Sequence, residues 1–395
     1  IHLFIAEQGI QVDSTDINKH FNRRPKQYDN IYRMLCSLVE DGLITKTKKN
    51  YQISPSPKAH LLERILLFCV ANSINYNDLL ELHFASFIRE ALAKEVIQTS
   101  DFKLDPKTFK KYISILEKYG LALIIAKKPF QVKIFSSLLL TSIIEYFGLK
   151  QHLDQKRKVD LTKEIAKELK KFKKKVVKNE RAYESALKEF TISFTHTSLS
   201  LEGNPITLPD TIKILKSKIL PKEFHENDIR EVQNYQKALA SMIKSTQREI
   251  KLDLGKILEH HLYAMQHKPK IAGKIRKVSV HIRGNPNFKV APPKKIEKEL
   301  NALILQYKDF VSQKRSEKEI ISFAATFHNQ FQYIHPFEDG NSRTARLLTF
   351  HIFQLFRIPV FDIPIGLLDE YLSNTKAYVQ RDDKQLEKTL QVIVL

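Results

Sequence analysis

Along most of this chain apolar residues recur every three to four positions, the spacing of helices with one buried face. From Gln27 to Asp41 the apolar residues Ile31, Leu35, Leu38 and Val39 share a face, and Gly42 stops the run. Before it, Ser14–Phe21 reads as a short capped helix and Asn22–Pro25 as a turn. Residues 60–98 are helical and rich in Leu, Ile, Phe and Ala, and Asp105–Gly120 repeats the 27–42 pattern, again ending in Gly. Leu161, Ile165, Leu169 and Phe172 keep helical spacing inside a lysine-rich stretch, which predicts a long helix with a basic outer face. Leu254–Met265, Ile296–Phe310 and Glu317–Tyr333 are further helices. Strand-like alternation is confined to short stretches. Leu43–Ile53 reads as two strands around a basic tip, Phe130–Phe135 as a return strand, and Ala272–Pro293 as a β-hairpin turning at Gly284-Asn285-Pro286. The chain is therefore mainly α.

At 395 residues, with 43% hydrophobic and 28% charged residues, the chain is long enough for two or three globular domains. Ten glycines and no low-complexity tract argue against long disordered linkers. The formal net charge of +21 makes an acidic partner worth considering, nucleic acid before an anionic membrane surface; lysines that merely solvate helices are the bland alternative. Cys36 and Cys69 both fall in apolar helical runs and imply no disulfide framework. No apolar run approaches the ~20 residues of a membrane span, and no leader is visible. The expectation is a cytoplasmic protein with no membrane partner.

The densest chemistry lies in Tyr333-Ile-His-Pro-Phe-Glu-Asp-Gly-Asn-Ser-Arg-Thr-Ala-Arg346. Asp339-Gly340-Asn341 is loop chemistry, and a helix follows at once. A Gly-Asn turn opening a helix aims several N–H groups at one spot with the helix dipole behind them, which suits a polyphosphate. Arg343 and Arg346 fall on one side of the first turn. Asp339 can hold Mg²⁺, which commonly binds through one or two carboxylates plus substrate phosphates. His335 supplies a base that works near neutral pH. His328 has no third ligand at metal-site spacing and reads as a core or polar-face histidine.

This order and spacing resemble the Fic family signature H-P-F-x-D-G-N-x-R-x-x-R, with Ser342 where Gly is commonest. The resemblance runs from about residue 190 to the end of the chain. It implies a protein adenylyltransferase that moves AMP from ATP, with Mg²⁺, to a Ser, Thr or Tyr hydroxyl of a target protein. By that resemblance His335 is the catalytic base, Gly340, Asn341, Ser342, Arg343 and Arg346 hold the phosphates, and Asp339 holds the metal. Ser198, Glu202 and Gly203 fit the family's inhibitory motif, whose glutamate pairs with the second signature arginine. The 272–293 hairpin resembles the family's flap, with Val280, His281, Ile282, Arg283 and Gly284 docking the target by main-chain pairing. Removal of AMP, with Glu202 orienting a water, is an alternative on the same site.

The order of helix, turn, helix, Gly stop and basic hairpin in 1–55 is similar to a winged helix. That likeness implies DNA contact through Arg23, Arg24, Lys26, Gln27, Asn30 and Arg33, with Lys46, Lys48 and Lys49 on the wing. Winged helices also serve as protein-interaction modules, so the fold does not settle the role. The expected organisation is a winged-helix-like domain over 1–55 and a helical spacer with a second such module over 56–150. A basic linking helix over 151–190 and a Fic-type helical domain over 191–395 follow. A regulator that binds DNA and carries a sensory or inactive Fic domain is the competing class of function, and a homodimer is compatible with either.

Overall fold

The computed structural model describes all residues except 10, 22–27, 150–159, 281–288, 360–361 and 377–382. The chain divides into two compact units, one built from 1–118 and 131–154, the other from 119–130 and 155–395.

In the first unit, helices His2–Gln8, Ser14–His20 and Tyr28–Glu40 precede the strands Ile44–Thr47 and Asn50–Ile53. Asp13 caps the second helix by accepting from Thr15 and Asp16 N–H, with Asp16 reaching back in a capping box. Val12–Asp13 adds a third strand, and the antiparallel order places Asn50–Ile53 in the middle, with Tyr51 opposite Val12 and Lys46. The helix periodicity of 27–41 is realised as a core in which Ile31 and Leu35 meet Phe4, Ile5, Val12, Ile17, Ile44 and Tyr51. Leu38 and Val39 lie partly buried at its margin. Gly42 sits at φ 69°, the left-handed geometry that a helix stop favours. Farther on come helices Pro57–Ala71, Leu82–Leu92, Pro106–Lys118 and Leu138–Tyr146, with Ile97 bridged to Val132. Cys36 and Cys69 are both free, and burial pushes the Cys69 thiol up to about 12.

In the second unit the lysine-rich helix spans Thr162–Lys178, with Leu161, Ile165 and Leu169 buried and Lys163, Lys167, Lys170, Lys171, Lys173, Lys174 and Lys175 exposed. It packs on Glu180–Ser200, Glu317–Ile334 and Asp383–Val394. At the centre lies helix Asn341–Leu355, which contacts Glu317–Ile334, Glu226–Gln247, Leu254–Ala264 and Glu180–Ser200. Its sequence predicts one apolar face, yet Asn341 and every residue from Arg343 to Phe353 are buried. Several of the polar side chains on its other faces find partners inside, although both ring nitrogens of the buried His351 lack one among the described residues. Thr344 and Thr349 donate to the carbonyls of Gly340 and Ala345, and His328 meets Thr349 Oγ1 at 2.9 Å. His328 is thus a core histidine.

The expected hairpin over 272–293 is not seen where it can be examined: 271–280 and 289–292 contain no strand, while the turn and His281, Ile282, Arg283 and Gly284 lie outside the described residues. The flanks spend their backbone groups elsewhere. Arg276 N–H donates to Pro336 O at 2.9 Å and Ala291 N–H to Tyr333 O at 2.9 Å, so both sides brace the loop ahead of the central helix. Among the described residues no helix is long and apolar enough to cross a membrane.

Candidate active site

Helix Glu317–Ile334 opens with a Ser316/Glu319 capping box and ends at His335, whose backbone is left-handed at φ 47° and ψ 58°. Such a conformation is uncommon for a residue with a Cβ and persists where its surroundings impose it. Here it turns the chain sharply, so that Pro336–Gly340 lead back into helix Asn341–Leu355. Asn341 staples that turn: its side chain accepts from Phe337 N–H at 2.9 Å and donates to Phe337 O at 2.8 Å. Phe337 is fully buried and stacks on His261, with ring centroids 3.6 Å apart.

His261 is held by two further bonds. Gly273 N–H donates to its Nδ1 at 2.9 Å, which leaves the proton on Nε2 to be donated to Asp339 O at 2.9 Å. Gly340 lies at φ 79°, and a Cβ there would come within 2.6 Å of Met265 Sδ and 3.2 Å of His261 Nε2. Both angle and space therefore require glycine at this point.

The His335 imidazole is buried, and its Nδ1 lies 3.1 Å from Gln332 O. A carbonyl only accepts, so Nδ1 carries the proton and Nε2 the lone pair. Burial, with the nearby Arg276 charge adding to it, pulls the imidazole down to about 4; the bond to Gln332 and the charges of Asp339 and Glu202 oppose the shift. The ring is consequently neutral near pH 7 and able to accept a proton.

Both signature arginines are buried, and both face carboxylates. Arg343 pairs through Nη1 with Glu231 and through Nη2 with Asp339 Oδ1 at 2.7 Å. Arg346 donates from Nη2 to Glu202 Oε1 at 2.7 Å and to Ser198 O at 2.8 Å, and from Nε to Ser198 Oγ at 2.6 Å. Burial works against the Arg346 charge, but the Glu202 carboxylate together with Tyr235 and Tyr371 more than offsets it, so this guanidinium titrates above its usual range. Ser198 Oγ donates in turn to Tyr235 Oη at 2.7 Å, and Tyr235 donates to Arg343 O at 3.3 Å. Glu202 follows the end of helix Glu180–Ser200, and Gly203 at φ 89° closes that end, with Asn204 N–H returning to Leu199 O.

Asp339 is the one acid at the loop tip that faces this cluster. Its Oδ1 accepts from Gly340 N–H at 2.6 Å as well as from Arg343, and its Oδ2 from Lys268 at 2.6 Å. Among the described residues no group of three His, Cys, Asp or Glu could cage a metal. A single half-exposed carboxylate can hold a divalent cation such as Mg²⁺ only together with oxygen ligands supplied from elsewhere. The N–H groups of Asn341 and Ser342 lie in the first turn of the central helix, where the helix itself supplies no acceptor.

Thus His335, Asp339, Gly340, Asn341, Ser342, Arg343 and Arg346 fall on one loop and one helix start, and Ser198 and Glu202 reach Arg346 from the end of another helix and the turn after it. Of the residues expected to dock a target only Val280 is described, and it is not in a strand. Of those expected to contact DNA, Asn30, Arg33, Lys46, Lys48 and Lys49 are exposed, and Arg23, Arg24, Lys26 and Gln27 lie outside the described residues. Sequence reasoning missed Glu231, Asn204, His261 and Arg276. Asn204 Nδ2 donates to Glu231 Oε2 at 2.7 Å and so positions the acid that holds Arg343. A charged or amide residue on an otherwise apolar helix face was the available signal for Glu231.

Residues 251–353 match the family model described as Fic/DOC family. A protein adenylyltransferase Fic from Nematostella vectensis is 34% identical over 168 residues, covering 41% of this chain and 37% of that protein. Another from Drosophila willistoni is 28% identical over 169 residues, covering 42% of this chain and 32% of that protein. The chain therefore spans about a third of the length of these curated relatives. Among solved structures, Fic-1 (residues 134–508) from C. elegans aligns with a TM-score of 0.49 at 21% identity, covering 59% of this chain and 68% of that one. A Fic domain containing signaling protein from Bacteroides thetaiotaomicron aligns at 0.48 and 20%, covering 54% and 86%.

Proposed function

We propose that the Fic domain of this chain is a protein adenylyltransferase, transferring AMP from ATP to a Ser, Thr or Tyr hydroxyl of a target protein. The observation that carries this reading is the neutral His335, proton on Nδ1 and lone pair on Nε2, in the same short loop that leads to the Asp339, Arg343 and Arg346 cluster. His335 Nε2 takes the hydroxyl proton while the hydroxyl oxygen attacks the α-phosphorus. The bond from that phosphorus to the β-phosphate oxygen breaks, and pyrophosphate leaves. The first-turn N–H groups and the two arginines neutralise the phosphates, so positioning and charge do most of the catalysis. Bound Mg²⁺, held by Asp339, would add its charge at the α- and β-phosphates.

In the present arrangement Arg346 is occupied by Glu202. A carboxylate and a phosphate compete for one guanidinium by the same geometry, so this pair acts as an autoinhibitory plug that ATP's outer phosphate must displace. A second reading, hydrolytic removal of AMP with Glu202 orienting the water, is favoured by one fact: the glutamate keeps a quarter of its side chain exposed beside the cluster. Incubating the full chain and its Glu202→Gly form with α-labelled ATP separates the two. Transfer predicts label on protein that rises in the variant. Removal predicts no rise, and loss of hydrolysis of a pre-attached AMP.

For the first unit we propose a winged-helix-like recognition role toward nucleic acid. The support is the exposed Asn30 and Arg33 on one helix and the exposed Lys46, Lys48 and Lys49 on the following hairpin. Salt dependence of binding to a DNA duplex tests it, because each phosphate contact releases counterions.

A further inference from the structure

Arg276 is almost wholly buried, at 2% exposure, yet no carboxylate pairs with it among the described residues. Its guanidinium is spent entirely on main-chain carbonyls. Nε donates to His335 O at 2.6 Å, Nη1 to Val278 O at 2.8 Å, and Nη2 to Ala291 O at 2.6 Å and more loosely to Ile334 O at 3.5 Å. Its own N–H donates to Pro336 O at 2.9 Å. A buried cation without a counter-ion is costly, and the compensation here is geometric. Ile334 and His335 lie at the end of helix Glu317–Ile334, where carbonyls have no partner in the helix and the dipole is negative. The planar fork of a guanidinium can satisfy several of them at fixed angles, which an ammonium cannot.

What Arg276 holds is the residue whose backbone is left-handed, and that backbone turn decides where the imidazole points. We propose that Arg276 is the positioning residue that sets His335 for proton transfer, gripping its carbonyl and fixing it relative to Val278 and Ala291. The role rests on the adenylyl-transfer reading but is separable from it. Arg276 touches no reacting atom. It grips the His335 backbone, and its charge also lowers the imidazole, while Gln332 sets the tautomer from the ring side.

The test uses the full chain carrying Glu202→Gly, with Arg276→Met and the milder Arg276→Lys added separately. Self-labelling from α-labelled ATP gives kcat and the KM for ATP, and a [15N]histidine-labelled sample without nucleotide gives the ring signals of His335. Displacing the imidazole by about 1 Å predicts a loss of about 100-fold in kcat. The KM for ATP should stay within about twofold, because the phosphate groups are untouched, and the lysine variant should recover part of the loss. The His335 ring signals should move in both variants while those of the core His328 and His351 stay in place. If kcat and the His335 signals match the parent's, or if KM rises as kcat holds, Arg276 is not a positioning residue. If the Glu202→Gly parent itself takes no label, the transfer reading fails, and the ring signals alone decide whether Arg276 orients His335. If the methionine variant does not fold, the lysine variant decides by the same readouts.

Discussion

The two units of this chain bury different things. In the first, hydrocarbon fills the interior, and apart from Lys133 beside Glu95 the charges of its described residues lie at the surface or half-exposed. In the second, Arg276, Arg343 and Arg346 are buried, each matched to a different kind of partner: carbonyls for Arg276, carboxylates for Arg343, and a carboxylate with a serine for Arg346. Removing one partner of a buried charge is expensive, so such groups persist where they are used. Chemistry is accordingly expected of the second unit and recognition of the first.

The largest effect is expected at His335. In a Glu202→Gly background, His335→Ala should lower transfer by about 10²–10⁴-fold, the range a general base contributes, while ATP binding measured by calorimetry persists. Equal loss of binding and transfer would make the histidine a structural element like those of the first unit. Next comes the plug on Arg346. Glu202→Gly should raise transfer by about 5–150-fold, the range open to a coupling of about 1–3 kcal/mol. Arg346→Ala should give no rise, because in the proposed mechanism that arginine also serves the phosphates.

Gly340→Ala should destabilise the second unit by about 1–3 kcal/mol, through the positive φ and the close approach to Met265. Thermal unfolding followed by two probes, one in each unit, would locate the loss. Acid should separate the units further. Burial lowers His196, His260, His261 and His335 to about 4, and His328 and His351 to about 3. These rings are neutral when folded and, once unfolded, take up protons below about 6.5, so stability falls as pH drops from 6.5 toward 4. Asp362, raised to about 7 by burial, runs the other way: its contribution is present below the ordinary carboxylate range and lost as pH rises through 7. In the first unit burial also lowers His2, but the larger set of buried rings lies in the second, so a pH series should melt the second unit first. The smallest effect is expected on the hairpin tip. Lys48→Ala should reduce the salt slope of duplex binding by about 0.9 if that lysine sits on one phosphate. An unchanged slope would remove the tip from the interface.

How much of this was legible follows from how local each feature is. The loop from His335 to Arg346 is contiguous, and helix-start chemistry is a short-range matter, so its residues could be read in order. The Ser198 and Glu202 pairing spans a long sequence separation, and it was reached only through the spacing of a known motif. Arg276 was hidden for a different reason. Its partners are main-chain carbonyls, which leave no trace in side-chain pattern, and its alternating neighbours suggested a strand that the flanks do not form. His261 was hidden because the helix pattern of 254–265 accounts for it equally well as a core residue. The full burial of helix Asn341–Leu355 was also unreadable, since polar residues on a helix normally mark its wet face.

His335 and a Glu202-plugged Arg346 are proposed to make one adenylyl-transfer site. Intact-mass analysis of the Glu202→Gly chain after incubation with ATP and Mg²⁺, beside the Glu202→Gly, His335→Ala chain, tests it most directly. An added AMP is expected on the first and none on the second. An adduct of equal yield on both, or none on either, would contradict it.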